Sequence, residues 1–175
     1  MSTSLAAIQA IAFDVDGVLT DGGILWGPDG EEWKRFHFAD IMGVSLARRA
    51  GIVMALVSGE DSPLVTRYAE KMHIRHVHKG LRDKAPALRK FSQAANNPLV
   101  NVCYMGDDIN DLPAMAIAGL SAAPANASAD VLAHLAATNG FRSTRNGGNG
   151  AVRELTDALL AARNLTPLDL FQNVR

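Results

Sequence analysis

Two acidic residues, separated by one valine, follow a short apolar run near the start of the chain. Residues 8–13 (IQAIAF) are apolar enough for a buried strand, and Asp14, Val15, Asp16 and Gly17 come directly after them. Two carboxylates at the end of a strand can face one pocket once the chain turns at a glycine. The alternative is a capped turn, in which Asp and Gly are common, and the pair alone does not decide between the two.

A second acidic cluster follows another apolar run, residues 100–105 (VNVCYM). The next six residues, 106–111 (GDDIND), contain Asp107, Asp108 and Asp111. Clustered carboxylates repel one another, so their pKa values rise unless a cation lies between them. Hard divalent ions such as Mg²⁺ prefer oxygen ligands of this kind. Two acidic clusters at the ends of two strands of one sheet therefore predict a shared site for a divalent cation.

Two further positions could hold a phosphate group. Ser58 and Gly59 follow the apolar run 52–57 (IVMALV), and offer a hydroxyl and backbone amides to a phosphate oxygen, although a Ser-Gly pair usually marks only a turn. Lys84 lies at the start of a predicted helix, where its charge opposes the helix dipole. A cation in that place could bind phosphate, while a solvated surface lysine is the alternative.

The elements that must position these residues alternate along the chain. Apolar or β-branched runs predict parallel strands covered on both faces, with the last two weaker than the others: 8–13, 52–57, 100–105, 76–78 and 120–122. Capping residues and helical spacing predict helices between them: 40–50 capped by Asp40, 63–72 after Asp61 or Ser62, 84–95, a short one opened by Asp111, and 150–163. This order predicts an α/β fold with a doubly wound parallel sheet, which binds ligands beyond the carboxyl ends of its strands.

One segment interrupts the alternation. Residues 22–38 read as two short arms around a Gly-Pro-Asp-Gly turn, which is typical of a β-hairpin. The arms carry Trp26, Trp33, Phe36 and Phe38, more aromatic surface than a lone two-stranded ribbon can use. An isolated hairpin is only marginally stable in water, so we expect it to dock on its own domain or on copies in other subunits. Residues 146–150 (NGGNG) predict a flexible loop without nucleotide-binding spacing.

The bulk properties fit one globular domain over residues 1–175, with a tail at 164–175. The net charge of −1 gives no overall attraction to nucleic acid or to an anionic membrane, and we expect neither as a partner. Cys103 is the single cysteine, so an internal disulfide is excluded, and its apolar neighbours predict an inert buried thiol. No segment has the pattern of a signal peptide or a membrane span, which predicts a cytoplasmic protein.

Four groups of residues, in this order, resemble the four motifs of the haloacid dehalogenase superfamily over about residues 8–125. They are Asp14-Val15-Asp16, Ser58, Lys84 and Gly106-Asp107-Asp108-x-x-Asp111. The resemblance implies that Asp14 attacks phosphorus and becomes an aspartyl phosphate, while Asp16 acts as acid and then as base. Ser58 and Lys84 would hold the phosphoryl oxygens. It also implies a Mg²⁺ cofactor bound by the Asp14 carboxylate, the Asp16 backbone carbonyl and Asp107. Asp108 and Asp111 would support the metal from outside its ligand shell or anchor Lys84.

The space between the first two motifs is too short for a cap domain, which points to the capless branch of the superfamily. Within it, the chain is similar to phosphatases of 3-deoxy keto-sugar acids, namely octulosonate 8-phosphate and nonulosonate 9-phosphate. The similarity is carried by residues 14–23, the Glu32-Trp33-Lys34-x-Phe36 arm and residues 147–154. It implies a sugar-acid phosphate substrate and a homotetramer through the 22–38 hairpin, with a neighbouring subunit serving as the cap.

Four residues are candidates for substrate binding. Gly59 and Glu60 follow the second strand, and octulosonate 8-phosphate phosphatases generally carry Arg where Glu60 stands. A carboxylate there is similar to the nonulosonate branch, as is Lys71, so the two substrates stay close alternatives. Glu60 could instead only stabilise the start of a helix. Arg153 resembles a position in the family's C-terminal segment that could contact substrate.

Three other interpretations remain open. A non-catalytic regulatory or assembly subunit could keep the fold, although the complete set of acids argues against it. A phosphotransferase could use the same scaffold and pass phosphate to an acceptor other than water. The spacing of His73, His76 and His78 suggests a metal cluster, but no thiol or acid nearby supports it, and a packing or surface role is favoured.

Overall fold

The fold is built on a six-stranded parallel sheet, seen in a computed structural model that describes residues 3–172. Its strands, in spatial order, are β5 (His76–His78), β4 (Val53–Val57), β1 (Ala10–Phe13), β6 (Val102–Met105), β7 (Leu120–Ala123) and β8 (Phe141–Arg142). A separate two-stranded sheet contains β2 (Leu25–Trp26) and β3 (Glu32–Trp33). The central strand β1 pairs Ala10 with Val53 on one side and with Val102 on the other.

Helices cover both faces of this sheet. They are α1 (Phe38–Arg49), α2 (Pro63–Met72), α3 (Ala85–Ala94), α4 (Leu112–Met115), α5 (Ala129–Thr138), α6 (Ala151–Ala162) and α7 (Pro167–Gln172). One face buries side chains of α1, α2 and α6, and the other buries side chains of α3, α4 and α5. The predicted doubly wound α/β fold is therefore confirmed. Between β1 and β4 the chain forms only the hairpin and α1, with no cap domain.

The central strands read as continuous apolar runs because both of their faces are covered. Every residue of β1 and of β6 is buried, including the predicted inert thiol of Cys103. The predicted strands are confirmed, although the first and third begin two residues later than expected. Residues 99–101 form a 3-10 turn before β6 instead of extending it. Helix α5 and the edge strand β8 had not been predicted.

The helix starts show one correction. Ser62 caps α2 as predicted, because its hydroxyl accepts a hydrogen bond from the backbone amide of Leu64 at 3.2 Å. Asp40 does not cap its own helix, which begins at Phe38 after His37. Its buried carboxylate instead accepts the backbone amides of Gly150 at 3.0 Å and Arg153 at 2.9 Å. Asp40 therefore caps α6, a helix more than a hundred residues further along the chain.

The predicted flexible loop at 146–150 is packed tightly, which is a second correction. Gly147 and Gly148 are both buried, and the Gly148 amide donates to the Val18 carbonyl at 3.0 Å. A Cβ atom on Gly147 would overlap with the backbone carbonyl of Gly17. Glycine is needed here because two backbone segments touch, and one of them is the turn after Asp16.

The hairpin and the tail lie on the outside of this core. In the hairpin, β2 and β3 pair antiparallel, and a bridge between Thr20 and Phe36 closes its base. The tail helix α7 packs on α1 of the same chain, where the guanidinium of Arg49 lies 5.4 Å from the centre of the Phe171 ring. Residues 173–175 of the predicted tail lie outside the described residues. No helix among residues 3–172 has the length and apolar character that a membrane span requires.

Candidate active site

The two predicted acidic clusters meet at the carboxyl edge of the sheet. Asp14 follows β1 and Asp107 follows β6, and these strands are hydrogen-bonded neighbours. The acids open onto a cavity of about 250 Å³. Nine residues line this cavity, six of them acidic or basic: Asp14, Asp16, Gly22, Gly59, Glu60, Lys84, Asp107, Asp108 and Asn110.

Asp14 has both carboxylate oxygens held in place. Oδ1 accepts the backbone amide of Val15 at 2.7 Å, and Oδ2 forms an ion pair with Lys84 Nζ at 2.9 Å. Burial raises the pKa of Asp14 well above its ordinary value, and the nearby charge of Asp111 adds to the rise, while Lys84 opposes it. The result is an oriented carboxyl group at the tip of a buried strand.

Lys84 is buried at the site and does not lie on the surface. Its side chain is 1% exposed, and its ammonium bridges Asp14 and Asp111, the latter at 2.7 Å. Burial alone lowers the pKa of Lys84, but the two carboxylates outweigh that effect and raise it. Lys84 is therefore charged at neutral pH, one residue before α3 and facing the cavity.

Asp111 organises the others and does not line the cavity. Its Oδ1 accepts hydrogen bonds from Lys84 Nζ and from the Tyr104 hydroxyl, both at 2.7 Å. Its Oδ2 accepts the backbone amides of Asp107 at 2.9 Å and Asp108 at 3.2 Å. These four donors occupy both oxygens, so Asp111 fixes the loop that carries Asp107 and anchors the ammonium of Lys84.

Asp107 faces the turn after Asp16 at very close range. Burial raises the pKa of Asp107 from 3.8 to about 7, and the charge of Asp111 adds to this effect. A Cβ atom on Gly17 would overlap with Asp107 Oδ2, and Gly17 also has a φ of +85°. Only glycine allows the backbone to take this conformation so close to the carboxylate.

Asp16 is paired with a residue that the sequence had not singled out for the site. Lys34 Nζ, from the hairpin, lies 2.8 Å from Asp16 Oδ1 and 3.4 Å from Glu32 Oε1. Burial lowers the pKa of Lys34, but the two carboxylates outweigh this and raise it. Lys34 lies in an arm that the family resemblance had marked, yet nothing in the local sequence shows that its side chain turns back to Asp16.

Comparison with known proteins identifies the family. A model described as haloacid dehalogenase-like hydrolase matches residues 65–148. The 3-deoxy-D-manno-octulosonate 8-phosphate phosphatase of Haemophilus influenzae is 36% identical over 166 residues, which cover 93% of this chain and 88% of that protein. The chain belongs to the haloacid dehalogenase-like hydrolases.

Solved structures of haloacid dehalogenase-like hydrolases have the same fold. A 3-deoxy-D-manno-octulosonate 8-phosphate phosphatase from Moraxella catarrhalis, in complex with a magnesium ion, a phosphate ion and a KDO molecule, is 34% identical with a TM-score of 0.87. The match covers 96% of this chain and 93% of the Moraxella catarrhalis protein. A protein from Legionella pneumophila described as a HAD subfamily III A hydrolase has a TM-score of 0.91 at 34% identity. The match covers 97% of this chain and 92% of that protein. The predicted family is confirmed, and the chain is a phosphatase.

Within this phosphatase, Ser58 and the residues after it are placed at different depths. Gly59 and Glu60 line the cavity. Ser58 does not, because its side chain is fully buried and its hydroxyl oxygen accepts the backbone amide of Glu60 at 3.1 Å. Asp108 lines the cavity as well, and its own Oδ1 accepts the amide of Ile109 at 2.7 Å.

Two predicted substrate residues lie away from the cavity in the single chain. Lys71 is exposed in the last turn of α2, eight residues from Pro63 at the site end, which is about 12 Å along a helix. Arg153 lines a separate cleft and its Nε binds Asp157 at 2.8 Å. The histidines join no metal-binding group among the described residues, and His76 packs edge-on against Phe91.

The residues present fit a hard divalent cation. Oxygens of Asp14, Asp107 and Asp111 all lie within 4.8 Å of one another. Burial and the nearby charge of Asp111 raise the pKa values of both Asp14 and Asp107, which is the electrostatic condition that a cation relieves. A donor set of carboxylate oxygens suits Mg²⁺ and agrees with the predicted cofactor.

Proposed function

We propose that the chain is a Mg²⁺-dependent phosphatase that hydrolyses the phosphate ester of a 3-deoxy keto-sugar acid through an aspartyl phosphate on Asp14. The observation that carries this proposal is the buried Lys84 ammonium 2.9 Å from the Asp14 carboxylate, in a cavity that Asp107 also lines. The relative from Moraxella catarrhalis binds a magnesium ion, a phosphate ion and KDO, which supports both the cofactor and the substrate class.

Each step uses residues of this cavity. The Asp14 carboxylate attacks phosphorus, and Lys84 stabilises the negative charge on the transferring phosphoryl oxygens. Asp16 gives a proton to the departing alkoxide and later takes one from the water that hydrolyses the aspartyl phosphate. Asp14, Asp107 and the Asp16 carbonyl would hold Mg²⁺, which supplies positive charge that offsets the repulsion between carboxylate and phosphate. Ser58 would hold a phosphoryl oxygen together with Lys84: the Ser58 hydroxyl oxygen accepts the amide of Glu60, and its hydroxyl hydrogen is left to donate.

Octulosonate 8-phosphate is the first candidate substrate, because it is the substrate named for the curated relatives. Nonulosonate 9-phosphate is the second candidate. Glu60 lines the cavity at the position where octulosonate 8-phosphate phosphatases generally carry Arg. A carboxylate there repels a substrate carboxylate and accepts hydrogen bonds from hydroxyl or amine groups. Lys71 and Arg153 lie away from the cavity of their own chain, so a contact with substrate requires them to come from a neighbouring subunit.

We also propose a homotetramer built through the hairpin and a cytoplasmic location. The exposed apolar surface of the hairpin supports the assembly, since Leu25, Trp26 and Phe38 are 67%, 76% and 81% exposed in the single chain. Large apolar side chains that lie together with this much exposure are costly in water and typical of subunit interfaces.

The test is a rate measurement with purified protein, Mg²⁺ and a panel of sugar phosphates that includes both keto-acid phosphates. We expect hydrolysis of one keto-acid phosphate, its loss on addition of EDTA, and a fall of several orders of magnitude for Asp14→Asn. Acid quenching during turnover of a ³²P-labelled substrate should trap a protein-bound phosphate that hydroxylamine releases. An Asp14→Asn variant with near-normal activity would contradict the mechanism, and a preference for hexose phosphates would contradict the substrate class.

A further inference from the structure

The hairpin contributes a buried cation that pairs with an acid of the cavity, Asp16. Lys34 follows β3, and its side chain is not exposed although the hairpin as a whole lies on the surface. Its ammonium lies 2.8 Å from Asp16 Oδ1, while the Asp16 side chain keeps 29% of its surface exposed. The lysine therefore touches the one carboxylate to which the proposed reaction assigns the proton transfers.

The backbone that carries Lys34 is held at several points. Phe36 bridges to Thr20 in the turn after Asp16, and its ring stacks on Tyr68 of α2 with centroids 4.4 Å apart. Glu32, which shares the ammonium of Lys34, accepts a hydrogen bond from the Ser62 hydroxyl at 3.5 Å. The position of Lys34 is therefore fixed by α2 and by the turn that carries Asp16.

We propose that Lys34 is a positioning residue for Asp16, and this inference rests on the proposed phosphatase mechanism. The ion pair at Oδ1 fixes the orientation of a partly exposed carboxyl group, and Oδ2 has no ion-pair partner among residues 3–172. Oδ2 is then the oxygen that exchanges the proton with the leaving group. A catalytic group held in one orientation avoids the large rate loss that a small displacement causes.

The proton balance shows where the effect must be visible. As the bond from Asp14 to phosphorus forms, the bond from phosphorus to the ester oxygen breaks, and the proton on Asp16 passes to that oxygen. A sugar alkoxide is a poor leaving group and needs this proton, whereas p-nitrophenolate leaves without it. Misorientation of Asp16 therefore slows transfer of the phosphoryl group from a sugar phosphate to Asp14 much more than its transfer from p-nitrophenyl phosphate.

The experiment compares kcat/KM for these two substrates in Lys34→Met and in a matched control, Arg35→Met. This constant covers the steps up to departure of the alcohol and excludes the later hydrolysis of the aspartyl phosphate, which is the same for both substrates. Arg35 is the next residue of the same arm and pairs with Asp21, which does not line the cavity. We expect Lys34→Met to lose about 10- to 100-fold on the keto-acid phosphate and less than about 3-fold on the aryl phosphate. Lys34→Arg should recover part of the loss, and Arg35→Met should keep the wild-type ratio of the two rates.

The ratio of the two rates is independent of how much of a variant folds, so a poorly folded Lys34→Met sample still decides the question. An unchanged ratio in Lys34→Met, with wild-type protein active on both substrates, overturns the inference and leaves the proposed function intact. Wild-type protein that hydrolyses neither substrate in the presence of Mg²⁺ overturns the proposed function first.

Discussion

The acids of the cavity are held close together before any cation is bound, and this has consequences for stability. A folded-state pKa above the ordinary value means that the folded protein binds the proton more tightly than the unfolded chain does. For Asp107 the window runs from 3.8 to about 7, and for Asp14 the shift has the same direction. Without metal, these two residues favour folding at low pH, and their contribution is lost as the pH rises through this window.

We therefore predict that Mg²⁺ stabilises the protein more at high pH than at low pH. Protons and the cation compete for the same carboxylates, and binding to the folded state raises the free energy of unfolding in proportion to ln(1 + [Mg²⁺]/Kd). The gain in Tm from millimolar Mg²⁺ should be larger at about pH 8 than at about pH 5.5. Differential scanning calorimetry at constant ionic strength measures it.

The control for this prediction is Asp107→Asn, which removes one ligand and its proton. Its Tm should respond little to Mg²⁺ at either pH. A gain for the wild type that is equal at both pH values would show that the cation does not bind at these acids.

At this scale the sequence predicted the residues whose signal is local. Asp14, Asp16 and Asp107 stand directly after apolar strands, and strand ends at one sheet edge bring them together. The role of Lys34 depends on a side chain that crosses from the hairpin, and the depth of Ser58 depends on which way its hydroxyl points. Neither depends on residue type or spacing, so neither was visible before the fold was known.

At the scale of elements, the best example of a long-range contact is the cap of α6. Asp40 lies in the first turn of α1, yet both of its oxygens bind backbone amides at the start of α6. The local sequence predicts that Asp40 caps its own helix, since an Asp near a helix start usually accepts hydrogen bonds from the amides of that helix. The cap also fixes Gly150 and the segment before it, which packs on the turn after Asp16.

We predict that Asp40→Ala lowers the free energy of unfolding by about 1–3 kcal/mol, because two partly buried amides lose their acceptor. Asp40→Asn keeps one acceptor oxygen, so its free energy of unfolding should lie between those of Asp40→Ala and the wild type. Asp130→Ala is the matched control, since Asp130 is exposed in the first turn of α5. It should stay within about 0.5 kcal/mol of wild type in urea unfolding. Equal losses in Asp40→Ala and Asp130→Ala would remove the special role of Asp40.

At the scale of the whole molecule, the hairpin faces both the acidic cavity and the outside. Lys34 reaches Asp16 on one side, while Leu25, Trp26 and Trp33 are more than half exposed on the other. The sequence predicted a segment that must dock, because its aromatic content exceeds what a short ribbon can bury. It left open whether the partner is the same chain or another, and in the single chain these side chains have no cover.

We predict that Trp26→Lys breaks the assembly while each chain stays folded. A charge placed on an apolar contact opposes association, whereas an exposed position adds little to the stability of one chain. Light scattering after size-exclusion chromatography should show a tetramer for the wild type and a smaller species for the variant. If a neighbouring subunit serves as the cap, kcat/KM for the keto-acid phosphate should fall with the assembly.

Leu168→Lys, at an apolar position 60% exposed on α7, is the control and should keep both the mass of the assembly and the rate of hydrolysis. A monomeric wild type, or an intact tetramer in Trp26→Lys, would show that the hairpin's aromatic surface does not join subunits.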